Sequence, residues 1–168
     1  MNDNQILFAR QNDICFFKFV GEVRYTASGG LDRLIDKLFQ DPGQCRDAVV
    51  DLREASYLDS TNLGLLAMIA RKLITAHDHK PTLLSTNQEV NRILQSMCLD
   101  QVFILLDQPE KLGQPLQQWQ QIEPDDRDRA KMLLTAHEAL LELGEQNRQT
   151  FQPVVDMMRQ ELAGQQKP

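Results

Sequence analysis

Tyr57-Leu58-Asp59-Ser60-Thr61-Asn62-Leu63-Gly64 joins a compact apolar run to the longest helical pattern in the first two-thirds of the chain. Upstream, Ala48-Val49-Val50-Asp51-Leu52 has the density of a buried strand. Downstream, Leu63, Leu66, Ala70, Leu73 and Ile74 share one face of a helix, which His77-Asp78-His79-Lys80-Pro81 stops. Asp59 or Ser60 suits the N-cap, where a side-chain oxygen accepts from first-turn N–H groups. Capping alone explains less well why two hydroxyls, an Asn and a Gly cluster here. Such a turn sets a hydroxyl beside free N–H donors at the positive end of a helix dipole, a setting that would receive a phosphate well.

Working outward, Ile6 to Arg10 and Ile14 to Val20 are β-prone runs separated by Gln11-Asn12-Asp13, the pattern of a hairpin. Ser28-Gly29-Gly30 precedes Leu31, Leu34, Ile35 and Leu38, the spacing of a short amphipathic helix that Asp41-Pro42-Gly43 ends. Thr82-Leu83-Leu84-Ser85 reads as a strand and Asn87 to Cys98 as a helix. Val102 to Leu106 reads as a final strand. The order ββαβαβαβ predicts an α/β domain over residues 1–107, with a mixed, mostly parallel sheet and helices packed on it.

Residues 108–122 change to a Gln-rich linker or short helix carrying Trp119. From 123 to 168 the pattern predicts a C-terminal helical hairpin. Pro124 opens its first helix, with Asp125, Asp126 and Asp128 at the positive end, and Pro153 opens the second. The first helix has a stripe of Ala130, Leu133, Leu134, His137, Leu140 and Leu141, flanked by Met132, Ala136, Ala139 and Leu143. A helix so widely apolar needs cover. Packing within the chain is the first expectation; a homodimer or partner surface formed by these helices is the second.

The 168 residues carry a formal net charge of −6, which argues against nucleic acid or an anionic membrane as partner, since both call for clustered Lys and Arg. The N-terminus has no basic and apolar leader pattern, and no run approaches the ~18 apolar residues of a membrane helix. Cys15, Cys45 and Cys98 are far apart and odd in number, which reads as reduced, mostly buried thiols. A cytoplasmic protein is expected.

Asp59-Ser60-Thr61-Asn62-Leu63-Gly64 resembles the Asp-Ser-[Ser/Thr]-Gly-Leu-Gly signature of STAS-domain anti-sigma-factor antagonists. Gly21-Glu22-Val23 is similar to that family's Gly-Glu-Leu, Val50-Asp51-Leu52 to its central strand, and Glu89-Val90, Ile93-Leu94, Leu99-Asp100 and Phe103 to its third helix and last strand. The likeness spans residues 5 to about 107. The appendage looks like the extension on one bacterial subgroup. Asn62 replaces the usual Gly, and Arg24 lies near a position that is often acidic, so the contact surface departs from the family's.

The resemblance implies a STAS-like fold and a non-catalytic, phosphorylation-controlled partner-switching function. Ser60 would be the phosphoacceptor, with Ser56 ranked well below it. The docking surface would comprise Gly21, Glu22, Arg24, Asp59, Ser60, Thr61, Asn62 and Gly64. The implied partners are an anti-sigma factor or kinase-like protein, plus a serine/threonine kinase and a phosphatase acting on Ser60. Outputs in such systems include sigma-factor release, motility and biofilm control. No cofactor and no metal are implied.

Catalysis by Ser60 would need a base within reach. His77 and His79 lie about 25 Å away along the helix at 1.5 Å per residue. His137, in the appendage, reads as a packed histidine. His77-Asp78-His79 does not share a helix face, and no nucleotide-binding loop is present. Two other functions are kept as alternatives: a small-anion or nucleotide-sensing module at the Ser60 helix end, and a docking scaffold acting through the hairpin.

Overall fold

The computed structural model describes residues 4–41, 43–106 and 119–165. Two strands, β1 (Gln5–Gln11) and β2 (Ile14–Val23), form an antiparallel hairpin. Along β2, Cys15, Phe17 and Phe19 alternate inward and are fully buried. A 3-10 turn (Tyr25–Ala27) leads to α1 (Leu31–Gln40), then to β3 (Asp47–Asp51) and β4 (Ala55–Leu58). The long helix α2 (Ser60–His77) follows, then β5 (Thr82–Leu84), α3 (Gln88–Ser96) and β6 (Ile104–Leu106).

The sheet runs β6-β5-β3-β2-β1 and ends at β7 (Gln120–Gln121), which pairs antiparallel with β1. The pairs β2–β3, β3–β5 and β5–β6 are all parallel, so the mixed, mostly parallel α/β sheet is as expected. Two strands are additional. β7 lies within the segment read as a linker, most of which (107–118) is outside the described residues. β4 is only four residues long and pairs with the far half of β2, while the near half pairs with β3. The register shifts between Gly21 and Glu22, and Gly21 has φ +82°, a conformation that suits glycine at a bulge.

α4 (Arg129–Leu141) and α5 (Glu145–Gln165) form the C-terminal hairpin, and α4 lies between α2 and α5. Residues 61–70 of α2 are consecutively buried, because this helix is covered on both sides rather than along one stripe. On α4 the buried face is Met132, Ala136, His137, Ala139 and Leu140. It is turned from the expected stripe toward the flanking one, and Ala130 is exposed.

Both helix starts in the hairpin differ from expectation. Pro124 does not open α4. Asp125 instead accepts from the Arg127 backbone N–H (3.0 Å) in an Asx turn, and its own N–H donates to the Gly29 carbonyl (3.0 Å). These bonds delay the helix to Arg129. Pro153 lies inside α5 rather than at its start. Both Pro153 and Gln149, the residue whose carbonyl loses its helical donor, are exposed, so water can satisfy that group.

Candidate functional site

The site is built on the junction between β4 and α2. Asp59 is extended (φ −79°, ψ 174°) and caps the helix, its Oδ1 accepting from the Asn62 backbone N–H at 3.0 Å. The same oxygen accepts from Asn62 Nδ2 (2.8 Å), and Oδ2 accepts from the Tyr25 backbone N–H (2.6 Å). The capping carboxylate therefore ties the helix start to the loop after β2.

Asn62 completes this knot. Its Nδ2 also donates to the Val23 carbonyl (3.2 Å), and its Oδ1 accepts from the Ser28 hydroxyl at 2.5 Å. It has no solvent exposure. The residue that departs from the family signature is an internal bridge, not part of a contact surface. Buried polar side chains are retained where their bonds are satisfied, and here every polar atom of the amide has a partner.

Ser60 is the first residue of α2 and is half-buried. Its hydroxyl lies 2.9 Å from His137 Nε2, and His137 Nδ1 lies 2.7 Å from the Leu133 carbonyl oxygen. A carbonyl only accepts, so Nδ1 carries the proton. In the neutral ring Nε2 is then a bare lone pair, and Ser60 donates to it. The expectation that no histidine base lies within reach of Ser60 is thus corrected. His137 is indeed packed, at 4% exposure and with Phe151 at 5.7 Å between ring centroids, but it is packed onto the serine. An apolar stripe interrupted by a single imidazole was the signal available; nothing local names a partner 77 residues away.

One turn further along α2, Gly64 meets α4. A β-carbon built there would lie 2.1 Å from the Ala136 carbonyl oxygen. Beyond it Arg71 pairs with Glu142 (2.6 Å). α4 therefore runs over the signature segment from Ser60 onward.

The eight residues expected at a docking surface are divided by this arrangement. Glu22 and Arg24 are exposed, whereas Gly21, Asp59 and Ser60 are half-buried. Thr61, Asn62 and Gly64 are buried and offer no surface, Gly64 because α4 lies against it. Arg24 lies 4.6 Å from the Tyr57 ring centre and Arg129 of α4 lies 5.4 Å from that of Tyr25. Glu22, Arg24, Tyr25 and Arg129 thus form a mixed-charge ridge at the sheet's end, flanked by α4.

Ser56 is exposed on β4, away from any helix start. His79 pairs with Asp47 (3.3 Å). Among the described residues, no group of three or more His, Cys, Asp or Glu is placed to hold a metal ion. Cys15 and Cys45 are buried, and Cys98 half-buried, as free thiols. Hydrogen bonding with Cys15, reinforced by burial, pushes the Cys45 thiol up, away from the reactive thiolate. Among the described residues no helix is long and apolar enough to cross a membrane.

A mixed sheet with a parallel core, a bulged second strand and a capped helix carrying a hydroxyl at its first position define a class of α/β domain. Residues 5–112 match the STAS domain, and the chain belongs to that family. No curated protein matches the chain.

Proposed function

We propose that the protein is an anti-sigma-factor antagonist, a cytoplasmic, non-catalytic partner switch in bacterial signalling that binds its partner when Ser60 is unphosphorylated. One observation carries this reading. The Ser60 hydroxyl opens α2 at the signature position, and Asp59 ties that helix start directly to Tyr25, which is exposed next to Arg24 at the end of β2. A phosphate on Ser60 would add about 1.5 to 2 negative charges at the positive end of α2, a charge the helix start favours but a closely fitted interface does not. The partner is an anti-sigma factor or kinase-like protein; a kinase and a phosphatase act on Ser60. A full switch from about 99% bound to 99% free needs roughly 5.5 kcal/mol between the two states.

Pull-downs with wild type, Ser60→Ala and Ser60→Asp test this. Ser60→Ala should hold its partner constitutively and Ser60→Asp should release it. Identical captured proteins from the two folded variants would refute it. A second reading is favoured by Val154 and Met157, exposed at 36% and 61% on α5, which suit a docking or homodimer role for the hairpin.

A further inference from the structure

We propose that the C-terminal hairpin is a latch closed over the Ser60–His137 hydrogen bond, and that phosphorylation of Ser60 undocks α4. This rests on the reading of Ser60 as phosphoacceptor and adds what the phosphate does within the chain.

The chemistry follows from the tautomer. The Leu133 carbonyl, 2.7 Å from Nδ1, keeps the ring proton on that nitrogen. Nε2 then faces Ser60 Oγ at 2.9 Å as an acceptor. Phosphorylation exchanges the hydroxyl proton for a phosphoryl group. The donor disappears, and Nε2 faces an ester oxygen and phosphate oxygens that are acceptors too. An attractive contact becomes an opposition of lone pairs, on a histidine that is almost completely buried. The added group also needs room between α2 and α4. One turn away, the Gly64–Ala136 approach leaves no space for even a methyl group without displacing backbone. The two helices cannot spread locally and keep that contact, so the phosphate acts on the whole interface.

Undocking α4 removes Arg129 from Tyr25 and so dismantles one flank of the ridge around Glu22 and Arg24. It also bares Gly64 on α2 and the Met132, Ala136, Ala139 and Leu140 face of α4. A phosphate at Ser60 would thereby change the docking ridge without touching it.

The test uses the full chain with phosphoserine placed at position 60 during translation, so no kinase is needed. Hydrogen exchange is compared with the same sample after phosphatase treatment. Residues 129–141 should exchange about tenfold faster or more in the phosphorylated chain, while β2 and β3 keep their protection. Unchanged or increased protection of α4 would overturn the proposal, the latter because the imidazole would have taken up a proton and paired with the phosphate. Loss of protection in the sheet together with α4 would overturn it equally, since a latch must open without unfolding its frame. His137→Gln supplies an amide that can donate as well as accept, so phosphorylation should change its α4 exchange by less than about twofold. Release as large as in the wild type would refute the lone-pair mechanism. No partner enters this measurement. A chain that undocks α4 but exchanges no protein leaves the latch standing without the partner switch, and one that exchanges proteins with α4 docked does the reverse.

Discussion

Gly64 of α2 and Ala136 of α4 are in backbone contact: any side chain at Gly64 would come within 2.1 Å of the Ala136 carbonyl oxygen. The glycine is needed for the approach of the second helix, since its own φ is that of an ordinary helical residue. Gly64→Ala should therefore destabilise the chain by about 1–3 kcal/mol through overpacking, although alanine is the better helix former. The loss should be confined to α4 and α5. Hydrogen exchange accelerated in residues 129–141 but not in β2 and β3 is the expected pattern. An unchanged melting temperature would mean that the contact does not form.

Asn62→Ala tests the knot at the start of α2. The substitution removes the amide's bonds to the Val23 carbonyl, the Ser28 hydroxyl and Asp59, leaving the first two only longer bonds, to the Asp59 N–H (3.4 Å) and the Arg24 carbonyl (3.3 Å). Losing three hydrogen bonds in a buried knot should cost about 2–3 kcal/mol, read as a lower urea midpoint at unchanged slope. A surface contact residue at this position would show almost no change in stability.

The β–α alternation, the α2 cap and the position of Ser60 were all legible, because each is written in local spacing: alternating burial in β2, a helical period after Asp59, a hydroxyl next to the cap. β4 was not, because Ala55–Leu58 is too short to show a period and is held by pairing with a strand more than thirty residues earlier. Pro124 and Pro153 misled in opposite directions. The first was overridden by the Asp125 side chain competing for backbone N–H groups, the second by a solvent-facing carbonyl that tolerates losing its donor. The role of Asn62 was hidden because its partners Val23 and Ser28 lie more than thirty residues earlier, at the end of β2 and just before α1. His137 could be read as buried but not as bonded to Ser60. A hydrogen bond between two helices depends on the crossing of the helices, which periodicity on either one does not encode.

Asp125 gives the approach to the hairpin an acid-sensitive anchor. Hydrogen bonds from the Arg127 side chain and then its backbone N–H, with Arg33 nearby at 2.8 Å, hold its carboxyl well below the usual aspartate value of 3.8. A carboxylate depressed in the folded state favours folding above its ordinary value, and that contribution fades as pH falls toward the lowered one. Docking of this segment should thus be insensitive to pH near neutrality and loosen only below about pH 4. The backbone amide signals of Asp125 and Arg127, which donate to the Gly29 carbonyl and to Asp125 Oδ1, report it in NMR spectra. They should shift only on strong acidification in the wild type, whereas Asp125→Asn should already show the loosened signals at pH 7.

The Ser60–His137 bond can be weighed without reference to any partner by a double-mutant cycle. Ser60→Ala removes the donor and leaves the Nε2 lone pair buried, at a cost of about 1–2 kcal/mol. His137→Ala removes the acceptor together with the ring that packs against Phe151, and should cost more, about 2–4 kcal/mol, through the cavity it leaves. With both changed, the hydrogen bond is lost only once, so the double variant should be more stable than the summed losses predict by about 0.5–1.5 kcal/mol. Urea unfolding of the four chains measures that difference. Strict additivity would mean that the serine and the imidazole do not bond in solution and that α4 is held by its apolar face alone.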